Sequence, residues 1–271
     1  MTAFILIVTG LAGLLIGSFI NVVAYRVPAG IPLRRGSQCP NCGAPVKPRQ
    51  NVPIVSWLVL GGRCASCGAT ISARYPLVEA STSLAFVGVT WLVLDSSNAA
   101  SNPWALVFAV AAFLYFAAIS IVLTLIDLDT HRLPNSIVLP AYPVAGVLFA
   151  AIGLLTGEWN SLLRAAVGMA VLYVFYFALR LVRPGGMGGG DVKLAGIIGI
   201  YLGWVGWGAL AVGAFSAFLF GGVFGLALIA LRRAGRKSAI PFGPWMILGA
   251  WAGILTGEAI GHWYVRLLTG V

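Results

Sequence analysis

Charged side chains are scarce in this sequence, and acidic ones are scarcer than basic ones. Only 9% of the 271 residues are charged, and the chain holds just seven Asp and Glu. A soluble domain carries about 25% charged residues, so this composition excludes an ordinary soluble protein. The hydrophobic fraction of 60% and the mean hydropathy of +0.97 indicate a polytopic membrane protein.

Long apolar runs occur along the whole chain. About 20 apolar residues cross the hydrocarbon layer of a membrane, so we expect an all-α fold with about eight transmembrane helices. The predicted spans are 3–25, 76–94, 104–126, 136–156, 161–182, 192–206, 208–231 and 244–267. No small-residue cleavage site follows the first run, so we expect a membrane helix there and not a cleavable signal peptide.

Basic residues are distributed unevenly between alternate loops. The net charge of +10 would suggest nucleic-acid binding in a soluble protein. Here all 17 Lys and Arg except Arg164 and Arg266 fall on one side of the predicted spans, and the positive-inside rule assigns that side to the cytoplasm. We therefore predict a lipid bilayer environment, no nucleic-acid partner, both termini outside and the first loop in the cytoplasm.

Cysteine is confined to that first loop, residues 26–75, which has no acidic residue. The four cysteines form two Cys-x-x-Cys knuckles separated by 21 residues: Cys39, Cys42, Cys64 and Cys67. This spacing is typical of a zinc ribbon, and four thiolates make the closed tetrahedral set of a structural zinc site. Gly43 and Gly68 suit the turn after each knuckle. Redox-active cysteines and metal-free turns stay open as alternatives, although a reducing cytoplasm disfavours disulfides.

Three of the few acidic residues lie where predicted spans begin or end. Gly188, Gly189 and Gly190 directly precede Asp191 at the start of the sixth span, while Asp127 and Asp129 close the third span on the same side. Ionisable groups in membrane spans are costly and usually face the bundle interior. Asp191 could therefore meet one of the other two aspartates. Residues two apart on a helix point in nearly opposite directions, and this reasoning does not choose between them.

A close pair of carboxylates favours aspartic proteolysis. Such a pair shares one proton, since both members do not ionise readily. The ionised member takes a proton from an attacking water, and the protonated member supports the developing oxyanion. Gly188, Gly189 and Gly190 would let an extended peptide approach closely, and we add Lys193 to this predicted substrate-binding set.

Other interpretations of the same acids are open. Asp191 could simply cap its helix, and Asp127 could pair with Arg132. A cation-coupled transporter would also use intramembrane acids, but near the midplane, and a zinc-ribbon scaffold would need no acid pair. We expect Glu79 and Glu258 to be hydrogen-bonding groups within the helix bundle.

Several short motifs accompany the cysteine knuckles and the aspartates. They are Gly17–Val23 with Arg26 and Pro28, Asn51-Val52-Pro53 with Ser56-Trp57, Gly62-Arg63-Cys64, Arg74-Tyr75-Pro76 ending at Glu79, Asp127 reaching Leu133-Pro134, and Gly188–Asp191. Over nearly its whole length the chain resembles the prepilin peptidases, membrane aspartic proteases of the GxGD class.

The resemblance implies that Asp127 and Asp191 are the catalytic pair. It further implies cleavage after a glycine in the short basic leader of type IV prepilins or pseudopilins, at the cytoplasmic face of the bacterial inner membrane. Many members then methylate the new N-terminus with S-adenosylmethionine, an activity linked to the loop. Members commonly carry an acidic residue where this chain has Gln50, so a peptidase without methyltransferase activity stays an alternative. We predict three parts: helix 1–25, zinc loop 26–75 and peptidase core 76–271.

Overall fold

The computed structural model describes residues 2–96, 102–183, 187–231 and 241–269. Within these ranges the protein is helical, and its only β interactions are two isolated bridges in the cysteine loop, Gln38–Pro45 and Arg63–Thr70. The predicted all-α fold, with a small cysteine-bearing insertion after the first helix, is confirmed. Predictions that involve Gly185, Gly186, Arg232, Arg233, Arg236 and Lys237 lie outside the described residues.

The described residues form eight long α-helices, one short α-helix and a single 3-10 turn at Pro48–Gln50. They are α1 Thr2–Arg26, the short α2 Val55–Val59, α3 Arg74–Ser96, α4 Pro103–Thr130, α5 Asn135–Thr156, α6 Trp159–Val182, α7 Gly189–Val205, α8 Trp207–Ala230 and α9 Gly243–Thr269. Local sequence explains several of the ends. The Asn102 side chain accepts the backbone N–H of Trp104 (3.0 Å) ahead of α4, as an N-cap does. Gly157, at φ +77°, ends α5 in the left-handed conformation that glycine adopts at little cost.

The long helices lie at the eight predicted spans, but not all of them are long and apolar enough to cross a membrane. In the described part of the chain, six are long and apolar enough: α1, α3, α4, α5, α6 and α8. The other two are α7 and α9. Helix α7 has 17 residues, which is about 25 Å at 1.5 Å per residue, against a hydrocarbon core of about 30 Å. The protein is a multi-pass membrane protein, and the number of crossings stays a prediction.

The chain divides into two compact units, of which the first comprises Met1–Asn98 and Phe113–Val122. In this unit α1 packs along α3. A Cβ on Gly17 would lie 2.7 Å from Cα of Glu79, so only glycine permits this approach of the two helices. The Ser83 hydroxyl donates to the carbonyl of Gly10 (2.8 Å), and the Asn21 amide donates to that of Tyr75 (3.2 Å). Polar side chains thus join α1 to α3 at both ends of the contact.

The second unit comprises Ala99–Ala112 and Leu123–Val271, and α7 lies at its centre. Helix α7 contacts α5, α6, α8 and α9, and every residue from Leu194 to Gly203 is buried. A helix buried on all sides reads as uniformly apolar, which is why its sequence resembles a membrane span. The Arg164 guanidinium donates to the carbonyls of Gly203 (2.7 Å) and Trp204 (2.8 Å) near the end of α7 and thereby satisfies groups that a helix terminus leaves unpaired.

Glycine allows the closest helix contact in this unit, and the contact predicts a stability effect. A Cβ on Gly199 of α7 would collide with the carbonyl of Gly168 on α6, whereas a Cβ on Gly146 of α5 would meet nothing within 4 Å. We expect Gly199→Ala to destabilise the protein by about 1–3 kcal/mol through overpacking. Gly146→Ala should be neutral or slightly stabilising, because alanine favours helix more than glycine does. Thermal unfolding of both variants in one detergent tests this, and equal melting temperatures would contradict it.

Candidate active site and cysteine cluster

Asp127 lies in the last turn of α4 and is buried, with 4% of its surface exposed. Its Oδ2 atom accepts a hydrogen bond of 3.0 Å from the backbone N–H of Gly243, the first residue of α9. The helix ends just beyond it because His131 adopts the left-handed conformation, at φ 54°, and His131 also interacts electrostatically with the Asp127 carboxylate. The alternative partner Arg132 makes no ion pair with Asp127 among the described residues.

Asp129 differs from Asp127 in its surroundings, although only two residues separate them. Asp129 is exposed, whereas Asp127 and the preceding Ile126 are buried. The two side chains leave α4 in nearly opposite directions, so one faces the interior of the second unit and the other does not. The pattern of residues alone left open whether Asp127 or Asp129 faces the interior, and the structure shows that Asp127 is the buried one.

Asp191 lies in the first turn of α7, and its carboxylate is half-buried. Its Oδ2 atom accepts the backbone N–H of Gly188 (3.0 Å), so Asp191 caps the start of α7 from the third helical position, while Gly188 itself is the N-cap residue. This bond occupies one carboxylate oxygen and leaves the other for a further role. The carboxylates of Asp191 and Asp127 interact electrostatically, which places them within range of one another in the second unit.

The glycines before Asp191 provide room for neighbouring side chains. A Cβ on Gly190 would lie 2.7 Å from Cβ of Leu133, and one on Gly189 would lie 2.6 Å from Nη1 of Arg180. Because Leu133 follows α4 in sequence, its packing against Gly190 brings the end of α4 to the start of α7. The glycines therefore first serve this close packing, and docking of an extended peptide stays a prediction.

Lys193, also predicted to bind substrate, is engaged within the protein. Its Nζ atom donates to Oδ1 of Asn135 at the start of α5 (2.9 Å). Its backbone carbonyl accepts the hydroxyl of Tyr142 (2.6 Å), also on α5. Lys193 thus anchors the first turns of α7 to α5, and a role in substrate binding stays a prediction.

Sequence reasoning missed three residues at this site: Phe242, Gly243 and Tyr176. Gly243 contacts Asp127 directly, and the ring of Phe242 packs on that of Tyr176 with centroids 6.3 Å apart. Tyr176 is buried and interacts electrostatically with Asp191. The available signal was Pro241-Phe242-Gly243-Pro244 at the start of the last apolar run, since closely spaced Pro and Gly mark a turn.

The four cysteines come together in the first unit. Their sulfur atoms all lie within 4.8 Å of one another, close enough to surround one tetrahedral ion. Both knuckles use the same backbone pattern, in which the first Cys N–H donates to the carbonyl five residues on and the N–H of Gly43 or Gly68 donates back. Both glycines have φ +71°, as the turn prediction requires. Cys39, Cys42, Cys64 and Cys67 therefore fit a zinc ion.

The electrostatics of the cluster favour deprotonated thiols at two positions. A hydrogen bond from the Ala69 backbone, with help from the Asn41 side chain, lowers the pKa of Cys67 to about 6. Backbone hydrogen bonds at Cys42 and Asn41 likewise lower the pKa of Cys39. At Cys42 the backbone hydrogen bond of Ala44 lowers the pKa, but the neighbouring thiols outweigh it and raise the pKa to about 11. Thiolates are the form that binds metal, so the hydrogen-bond donors favour that form at Cys39 and Cys67.

One contact inside the cysteine loop and one contact to α3 hold the loop in the first unit. Within the loop, the Trp57 indole donates to the carbonyl of Ile71 (3.0 Å). The buried Glu79 on α3 accepts the N–H of Ile54 (2.7 Å), which has a positive φ of 60° that a β-branched residue rarely adopts. In the second unit Glu258 accepts the N–H of Ala209 (3.0 Å). Both glutamates accept backbone hydrogen bonds as expected, but only Glu258 accepts from another helix of the bundle, since the partner of Glu79 lies in the cysteine loop.

Known proteins resemble this chain over nearly its full length. Residues 11–93 match the family model described as the Bacterial Peptidase A24 N-terminal domain, and residues 114–229 match the Type IV leader peptidase family. The Prepilin leader peptidase/N-methyltransferase of Aeromonas salmonicida is 35% identical, over 95% of this chain and 93% of its own length. The proteins of that name from Pseudomonas aeruginosa and Dichelobacter nodosus are 32% and 33% identical, over 97% and 93% of this chain and 94% and 92% of their own lengths. No solved structure gives a significant match.

Proposed function

The chain belongs to the type IV leader peptidase family, and from this premise we propose that it is a membrane aspartic endopeptidase that removes the leader of type IV prepilins or pseudopilins. The enzyme resides in the bacterial inner membrane. Asp127 and Asp191 carry the reaction, within a peptidase core of residues 76–271. The single observation that supports this assignment best is the burial of Asp127 within electrostatic range of Asp191.

The chemistry follows from two carboxyl groups that share one proton. A water oxygen attacks the carbonyl carbon of the scissile peptide while the ionised carboxylate accepts one proton from that water. The protonated carboxyl gives its hydrogen to the developing oxyanion. The intermediate is then a diol. As it collapses, the C–N bond breaks, the leaving amine takes up the proton that the first carboxylate had received, and one hydroxyl of the diol returns its proton to the second carboxylate. The pair ends the cycle with the single shared proton with which it began.

The location of the acids argues against a cation-coupled transporter. Transport sites in helical membrane proteins lie near the bilayer midplane. Asp127 is in the last turn of α4 and Asp191 in the first turn of α7, so both lie at helix ends. This location suits cleavage at a membrane face. We assign that face to the cytoplasm, with the loop of residues 26–75 on the same side and both termini outside, following the distribution of Lys and Arg.

We further propose that the protein methylates the new N-terminus of its product. The similar proteins from Aeromonas, Pseudomonas and Dichelobacter are named as N-methyltransferases as well as peptidases. S-adenosylmethionine would supply the methyl group. The loop of residues 26–75, held by a structural zinc ion at the four cysteines and bonded to α3 through Glu79, is the part to which we assign this activity. A peptidase without methyltransferase activity is the second candidate, favoured by Gln50 before the Asn-x-Pro motif.

Mass analysis of a processed prepilin distinguishes these functions. The purified full-length protein in lipid nanodiscs is incubated with a prepilin and S-adenosylmethionine, and the product N-terminus is identified by mass spectrometry. We expect a single cut after the leader glycine and a mature N-terminus heavier by one methyl group. A cut without methylation identifies the peptidase-only alternative. An uncut prepilin, when a similar enzyme processes it under the same conditions, rules out the proposed function.

A further inference from the structure

The turn at residues 241–244 places a backbone donor on one of the two proposed catalytic carboxylates. Helix α9 begins at Gly243, and the Phe242 carbonyl accepts the N–H groups of Trp245 and Met246 (3.1 Å each). The first N–H groups of a helix have no partner inside it. Pro244 has no N–H, and the N–H of Gly243 donates to Oδ2 of Asp127. The start of α9 therefore directs a donor, and the positive end of its dipole, at this carboxylate.

Only glycine permits this contact at its present length. A Cβ on residue 243 would lie 2.7 Å from Oδ2 of Asp127 and 3.5 Å from Cδ2 of Leu133. Any larger residue would have to displace the carboxylate, whereas its distance to the leucine would be an ordinary van der Waals contact. The φ of Gly243 is not in the left-handed region, so the requirement for glycine comes from the space beside Asp127 and not from backbone strain.

The same turn also reaches the surroundings of Asp191. Leu133, which contacts Gly243, packs against Gly190 next to Asp191. The Phe242 ring packs against Tyr176, which interacts electrostatically with Asp191. Phe242 and Tyr176 both pack on Phe218, with ring centroids 5.4 and 5.5 Å away. The turn is thus supported by a cluster of aromatic rings, of which Tyr176 is buried, and is not an isolated loop.

We propose that Gly243 is a positioning residue for peptide hydrolysis. Its backbone N–H holds Oδ2 of Asp127 and so directs the other carboxylate oxygen toward the reacting atoms. The carboxylate of an aspartate turns readily about its terminal torsion, and one charged hydrogen bond restricts that rotation. This inference rests on the proposed peptidase function and adds a third chain segment to the site, 116 residues beyond Asp127.

A pair of glycine substitutions gives the first test. Gly243→Ala should lower kcat for prepilin cleavage by about 10- to 100-fold, the equivalent of one hydrogen bond to a charged group, and leave KM within about twofold. Gly222→Ala on α8 is the matched control, because its Cβ would meet nothing within 4 Å. Its kcat should equal that of the wild type. A change confined to KM in Gly243→Ala would contradict a positioning role.

Replacement of a single backbone atom gives the second test and does not depend on how alanine folds. Cell-free translation into nanodiscs with suppression at codon 243 can insert glycolate, which exchanges the N–H for an ester oxygen and adds no Cβ. We expect the same loss of kcat, with a melting temperature close to that of the glycine protein made in the same way. If the ester protein cleaves at the full rate, the inference is wrong. If the glycine protein itself does not cleave prepilin, the proposed function fails instead.

Discussion

Asp191→Asn and Asp127→Asn are each expected to lower prepilin cleavage by about 1,000-fold or more. When two residues act as one catalytic unit, removal of either one abolishes most of the activity. An asparagine amide does not take up and release a proton as a carboxyl group does. The substitution preserves the side-chain shape, so the hydrogen bonds from Gly243 and Gly188 to the two side chains keep an acceptor oxygen. Initial cleavage rates measured at equal amounts of folded protein check this expectation.

Asp129→Asn is the matched control for that experiment. It makes the same chemical change two residues from Asp127, but at an exposed position. Exposed substitutions usually alter free energies by no more than about 0.5 kcal/mol, so cleavage should stay within about twofold of the wild type. If Asp129→Asn abolished cleavage while Asp127→Asn did not, the assignment of the pair would be wrong.

Loss of metal from the Cys39→Ser/Cys64→Ser variant is the second large effect that we expect. The wild type should bind about one zinc ion per chain, and the double variant should bind none, since two of four tetrahedral ligands are gone. Structural zinc contributes about 10–16 kcal/mol to the folding of small zinc domains, so the loop should become sensitive to limited proteolysis. Elemental analysis of the purified proteins gives the zinc content.

A control variant and a test for disulfides complete the zinc experiment. Ser66→Ala lies inside the second knuckle but removes no sulfur ligand, so it should retain zinc. Mass analysis of the wild type without reductant tests the redox alternative, since each disulfide lowers the mass by two hydrogens. A wild-type protein that carries disulfides and no zinc would overturn the assignment of the cluster.

The broad character of the protein can be predicted from its amino-acid sequence because it depends on composition and short spacings. Low charge and long apolar runs indicate membrane helices, and this inference does not depend on how the helices pack against one another. The two Cys-x-x-Cys knuckles carry their turn geometry in adjacent residues, and Gly43 and Gly68 adopt the conformation expected of them. Such features depend on adjacent residues and therefore change little with tertiary packing.

Helix α7 marks the limit of that reasoning. Its sequence is as apolar as a membrane span, yet it has 17 residues and is surrounded by α5, α6, α8 and α9. An apolar sequence indicates that a helix is shielded from water, and either lipid or neighbouring helices can shield it. A sequence pattern therefore does not distinguish a helix that faces lipid from one that faces other helices.

The sequence alone determined the membrane class, the two cysteine knuckles and the position of Asp191 after its glycines. It also reduced the partner of Asp191 to two candidates, Asp127 and Asp129. Tertiary structure decided that Asp127 is buried and Asp129 exposed, because burial depends on which helices pack against α4. It also placed Gly243 against Asp127, a contact between positions 116 residues apart. No local spacing encodes such a contact, since it forms only when α9 docks beside the end of α4.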